Sequence, residues 1–155
     1  MKTMTKTPRR SSRLLKPTYR EYPRFHKVKT FVRRVSQRHP LLVVLFGSVA
    51  RGDYKQHSDA DVLVLFDKPD KLDDVYKDCE GTVHPIVKTL DQMEQFIREG
   101  EPFYIEMIED GIPLYDADGM FKKLARLVRD AKRAWGLKRT RTGWEWTRAE
   151  PVWSA

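Results

Sequence analysis

The sequence predicts an α/β (α+β) fold, and three observations carry that reading. Residues 41–46 are apolar throughout, as a central strand covered on both faces should be. A second apolar run, 62–66, follows after a Gly-Ser turn and a polar loop, giving two strands joined by a short connection. On either side lie segments whose apolar residues recur at helical spacing, which places helices before and after the strands.

In chain order, residues 1–21 read as irregular, broken by Pro8 and Pro17. From about residue 23 to 38, Phe25, Val28, Phe31, Val32 and Val35 mark an amphipathic helix with a basic outer face, ended by His39-Pro40. The strand at 41–46 comes next, then a short helix after Ser48, a polar loop to Ser58, and the strand at 62–66. Pro69 sits in a turn, and 71–79 reads as a further helix. The run TVHPIV at 82–87 is the third strand; Pro85 cannot donate to a sheet ladder, so an edge or strand-end position is expected. Thr89 then caps a helix running to Gly100, with Leu90, Met93, Phe96 and Ile97 on its inner side. Residues 101–110 form another helix, ended by Gly111, and 112–115 a short closing strand. Residues 118–136 form the clearest helix, with Phe121, Leu124, Ala125, Val128, Ala131 and Trp135 along one stripe. The predicted organisation is an irregular basic tail at 1–21, one domain at 22–136 with an added N-terminal helix and a long C-terminal helix, and a basic, Trp-rich tail at 137–155 packed on or near it.

Chemistry concentrates in LFGSVARGDYKQHSDADVLVLF, residues 45–66. Side chains two apart on a strand share a face, so Asp59 and Asp61 are expected to project together with Ala60 turned away. Two carboxylates on one face repel unless a cation lies between them, and oxygen-only ligands favour a hard ion such as Mg2+. Gly47 lets the backbone approach a phosphate closely. Taken singly, each residue also has a plain structural role: a turn at Gly47-Ser48, a surface ion pair between Arg51 and Asp53, a cap at Asp59, and a solvated strand position at Asp61.

The ordered set Gly47-Ser48, Arg51-Gly52-Asp53, Ser58 and Asp59-Ala60-Asp61, bracketed by two apolar strands, resembles the DNA polymerase beta nucleotidyltransferase superfamily, above all its minimal single-domain MNT-type members. The resemblance is sharp over 41–66 and continues more loosely to about Tyr115. It implies the nucleotidyltransferase fold, a small mixed sheet flanked by helices. It further implies that Gly47, Ser48, Arg51 and Ser58 bind the triphosphate of an NTP, with ATP expected, and that Asp59 and Asp61 are the catalytic, metal-holding carboxylates. The implied reaction moves a nucleoside monophosphate to an acceptor and releases pyrophosphate. MNT-type proteins often act on a HEPN-type toxin partner as a toxin–antitoxin pair, which makes such a protein a candidate acceptor; a small molecule or an RNA end is an alternative.

One position departs from the family pattern. A third carboxylate is normally supplied by the neighbouring strand, and the aligned residue here is His84. Imidazole is a poor Mg2+ ligand and suits Mn2+ better. His84 is therefore read as a metal ligand or base in an altered site, as a structural histidine, or as the mark of a fold that binds a protein or RNA partner without catalysis. Asp78 or Glu80 would supply the acid if the register differed.

Charge is unevenly spread along this chain of net charge +8. Residues 1–39 carry thirteen Lys/Arg and one acid, the middle of the chain is strongly acidic, and residues 121–155 are basic again. Basic ends bind RNA or an acidic partner, or fold back onto the acidic core. Trp144, Trp146 and Trp153 interleave with Arg139, Arg141 and Arg148; packing on the domain is expected of Trp144 and Trp146, with single-strand stacking as the alternative. No apolar run is long enough to span a bilayer, and the single cysteine, Cys79, fits a reducing cytoplasmic setting as an inert, half-buried thiol. The Arg/Ser-rich first sixteen residues share features with transit peptides but lack an amphipathic repeat, so a disordered or docking tail is the expected reading.

Overall fold

Strand β1 (Leu42–Phe46) occupies the centre of the molecule because its five apolar side chains alternate between two helical layers. The computed structural model describes residues 17–79 and 81–154; the first sixteen residues of the predicted tail at 1–21 and Glu80 lie outside the described residues, while Tyr19–Glu21 of that tail form a 3-10 turn. Helix α1 (Phe25–Ser36) precedes β1, and the five-residue helix α2 (Gly47–Arg51) leaves it directly. Strand β2 (Ala60–Phe66) returns antiparallel, pairing Phe46 with Asp61 and Leu42 with Leu65. Strand β3 (Val83–Thr89) then runs parallel to β2, which places His84 directly beside Asp61. After helices α3 (Leu90–Arg98) and α4 (Pro102–Glu109), strand β4 (Ile112–Asp116) joins the other edge of β1 in antiparallel fashion. The order β3-β2-β1-β4 is a four-stranded mixed sheet. Pro85 lies on the edge strand, as its missing N–H requires.

One face of the sheet, carrying Leu42, Val44, Leu63 and Leu65, packs on α3, α4 and helix α5 (Met120–Trp135) through Met93, Ile97, Ile105 and Leu124. The other face, carrying Val43, Leu45, Val62 and Val64, packs on Val28, Phe31 and Val35 of α1. Truncating a core leucine such as Leu63 to alanine is expected to cost about 2–5 kcal/mol. The stripe predicted for α5 is largely the observed one: Leu124, Val128 and Ala131 are buried, and Phe121, Ala125 and Trp135 pack at its margin.

Local chemistry sets the element ends. Thr89 caps α3 as predicted and does so in a capping box with Gln92, each side chain accepting from the other's backbone N–H at 3.0–3.2 Å. The Asp116 carboxylate accepts from the N–H groups of Met120 (2.9 Å) and Phe121 (3.1 Å) and so starts α5. The helix expected at 71–79 is instead two 3-10 turns, Pro69–Lys71 and Asp73–Asp78. Four aspartates crowd this stretch, and only Val75 is buried, so no apolar stripe rewards a regular α-helix.

The chain beyond α5 is not an extended tail. Gly136, at φ +59, turns it into a hairpin of β5 (Leu137–Thr140) and β6 (Gly143–Trp146) that folds against α4 and α5. Arg139 anchors the hairpin with a two-pronged contact to Asp110, both bonds 2.8 Å, and Trp144 donates its indole N–H to Glu106 at 2.6 Å. Lys132 pairs with Glu109 alongside. At these residues the basic C-terminal segment has folded back onto the acidic core. Trp144 packs as expected, whereas Trp146 remains 47% exposed.

Candidate active site

The end of β1 and the start of β2 meet at the sheet's rim, and Gly47 shows why the chain needs glycine there. It holds a left-handed φ of +73, and a Cβ on it would lie 2.5 Å from Oδ2 of Asp61. The Gly-Ser turn and the carboxylate are therefore packed in direct contact. Ser48 follows within α2, whose C-terminal Gly52 is also left-handed, and the N–H groups of Gly52 and Asp53 both donate to the Ser48 carbonyl. Arg51 pairs with Asp53 at 3.1 Å on the open surface and faces the same cleft as Gly47.

Asp59 lies just ahead of β2 rather than within it, while Ala60 turns into the opposite core as expected. Asp59 is exposed and, among the described residues, makes no hydrogen bond or ion pair. Asp61 is half-buried, and its Oδ1 lies 3.2 Å from Nδ1 of His84. The imidazole thus stands on the strand and in the register where sequence alignment placed a third acid. Asp78 is held elsewhere by Arg38, at 2.6 Å, so it does not substitute for that acid.

Ser58 also has a structural part in the loop before Asp59. Its Oγ accepts the Lys55 N–H at 2.8 Å within its own loop. Its carbonyl receives two donors from the segment before α1: the Tyr22 hydroxyl at 2.5 Å and the Arg24 guanidinium at 2.7 Å. These two residues pin the peptide that leads into Asp59. Tyr22 is buried, which pushes its hydroxyl pKa up; Asp59 and Asp61 push the same way and Arg24 opposes them. Sequence reasoning missed Tyr22 and Arg24 because they lie more than thirty residues from Ser58, as their hydrogen bonds show, in a segment with no motif of its own.

The cleft beside Asp61 has a volume of about 110 Å³ and is lined by Phe46, Gly47, Arg51, Asp61, Phe103 and Glu106. A larger groove, about 550 Å³, lies between α1 and β4 and includes neither aspartate. Cys79 is half-buried; burial, with Asp78 adding to it, raises its thiol pKa and disfavours the reactive thiolate.

The donor chemistry suits one hard cation, since Asp59 and Asp61 offer unengaged or weakly engaged carboxylate oxygens. It falls short of a three-acid set: among the described residues no group of three metal-capable side chains converges.

A family model for the nucleotidyltransferase domain matches residues 27–115, more than half of the chain. The match spans α1, the Gly47 turn, both aspartates, His84 and the sheet through β4. The chain therefore belongs to the nucleotidyltransferase domain family, and its mixed sheet between helical layers is the fold expected of a member. Among solved structures, a provisionally assigned nucleotidyltransferase from Sulfolobus solfataricus is similar at 25% identity, covering 59% of this chain and 78% of that one, with a TM-score of 0.44. No curated protein matches the chain.

Proposed function

We propose that this protein transfers a nucleoside monophosphate from an NTP, with ATP the expected donor, to an acceptor nucleophile. The observation that carries the reading is the close approach of the Asp61 carboxylate to Gly47, on the wall of a cleft of about 110 Å³, inside the family's matched region. In the proposed reaction an acceptor oxygen forms a new bond to the α-phosphorus, the bond from that phosphorus to the β-phosphate oxygen breaks, and pyrophosphate leaves. Gly47 and Ser48 would seat the phosphates through backbone N–H groups, and Arg51 would offset their charge. Asp59 and Asp61 would hold Mg2+ or Mn2+. Such an ion supplies charge neutralisation for the displacement when bound. Tyr22 and Arg24 hold Asp59 in place through the Ser58 carbonyl. The acceptor to test first is a HEPN-type protein, as the resemblance implies.

A second reading is favoured by one feature. With His84 beside Asp61 and, among the described residues, no three metal-capable side chains converging, the fold would bind nucleotide or a partner without turnover. Calorimetric titration of ATP with Mg2+, then Mn2+, into wild type and the Asp59→Asn/Asp61→Asn protein tests the donor site. Metal-dependent binding that the double variant lacks is expected. Equal binding in both proteins would remove the aspartates from the site. Labelling of a HEPN-type acceptor by radioactive ATP then separates transfer from binding alone: labelled acceptor supports transfer, and bound nucleotide with no labelled product supports the second reading.

A further inference from the structure

Phe103 leaves 51% of its surface open to water, an unfavourable position for a phenyl ring, on the wall of the cleft that holds Gly47, Arg51 and Asp61. Its ring centroid lies 6.1 Å from that of Phe46, the residue that immediately precedes Gly47 and pairs with Asp61. The cleft is about 110 Å³, well below the ~300 Å³ at which ligand pockets begin. A phosphate group fits such a space and a whole nucleotide does not, so the base must rest outside, on the rim.

We propose that Phe103 is the stacking platform for the nucleobase of the nucleotide; this rests on the donor reading given above. Phe46 and Tyr104 both meet Phe103 edge-to-face, at 84° and 76°, and among the described residues no ring lies parallel to it. Phe96 and Tyr104 show the contrast, stacked at 4.2 Å and 7°. With 51% of its surface open, Phe103 offers ring surface to a planar ligand from solution. The helix that carries it is rigidly backed: Ile105, Met107 and Ile108 are buried, and Glu106, one turn on, is tied to Trp144 and Arg139 of the hairpin. An aromatic platform reads the ring and not its hydrogen-bonding edge, so purine nucleotides are preferred to pyrimidine ones without sharp discrimination between ATP and GTP.

The experiment compares ATP with inorganic tripolyphosphate, each with Mg2+, titrated calorimetrically into wild type, Phe103→Ala and Phe103→Tyr. Phe103→Ala is expected to weaken ATP about tenfold, the range of one base–aromatic stack, and to leave tripolyphosphate unchanged. Phe103→Tyr should keep ATP affinity. The platform is overturned if Phe103→Ala binds ATP as wild type does, or if it loses ATP and tripolyphosphate equally, which would report a collapsed cleft. Wild type binding tripolyphosphate as tightly as ATP would also overturn it while leaving the phosphate site standing. Wild type binding neither would remove the donor reading and the platform together.

Discussion

The acidic residues of this domain live in two different surroundings. Toward the hairpin, Glu106, Glu109 and Asp110 are met by Arg139 and Lys132, with the Trp144 ring lying beneath both cations at 5.2 and 5.6 Å. Toward the sheet rim, Asp61 has only His84 beside it, and Asp59 has no ion-pair partner among the described residues. Compensated acids of the first kind hold two parts of a chain together. Acids of the second kind gain from a cation brought in from solution. The difference separates charge that is compensated within the fold from charge that is largely uncompensated, within one small domain.

Three substitutions sharpen or break that comparison. The largest effect is expected from Gly47→Ala. A side chain at a left-handed φ costs about 1–2 kcal/mol, and its Cβ must also displace the Asp61 carboxylate. Thermal unfolding should shift down, and nucleotide binding should be lost; binding at wild-type strength would mean that the turn does not face the ligand. Next is Arg24→Ala, which removes a charged donor from the Ser58 carbonyl. By loosening the support behind Asp59 it should weaken metal-dependent nucleotide binding about tenfold, as loss of an orienting partner does elsewhere. Tripolyphosphate binding without metal should be unaffected, since Arg24 is not among the residues lining the cleft. An equal drop in both would show Arg24 contacting phosphate itself.

The smallest effect belongs to the compensated cluster. Hydrogen bonds from Arg139 hold the Asp110 carboxyl below the usual carboxylate range, against the opposing effect of burial. A depressed folded-state pKa contributes stability that is fully present above the ordinary value, about pH 4, and lost as acid takes the solution down through the depressed one. Asp110→Asn should therefore lower stability by about 1 kcal/mol at neutral pH, a modest figure because Arg139 is partly solvated. Its melting curve should converge on that of wild type in acid. A gap that persists at low pH would show that the pair does not carry the difference. Nucleotide affinity should not move.

Much of this layout was legible in the chain itself. The all-apolar β1 demands cover on both faces, and Pro85 demands an edge. The Thr89 cap depends on a partner three residues away, and the α5 stripe on the helical period. His84, which the family resemblance put at the third acid's position on the neighbouring strand, does stand beside Asp61. What was not legible depends on encounters between distant segments. The 3-10 turns at Pro69–Lys71 and Asp73–Asp78 appear where propensity had too little apolar packing to act on. The hairpin after Gly136 is held by Arg139 and Trp144 reaching acids some thirty or more residues earlier, and no local pattern of two four-residue strands announces it.

The sequence by itself determined the order of the sheet strands and of helices α1 to α5, the position of the Gly47 turn, and the identity of the two rim carboxylates, because periodicity and spacing are local properties. Tertiary structure alone decided that Asp61 packs on Gly47, that Tyr22 and Arg24 brace the loop before Asp59, and that Phe103 faces the same cleft. Those contacts join segments whose separation along the chain carries no information about their distance in space.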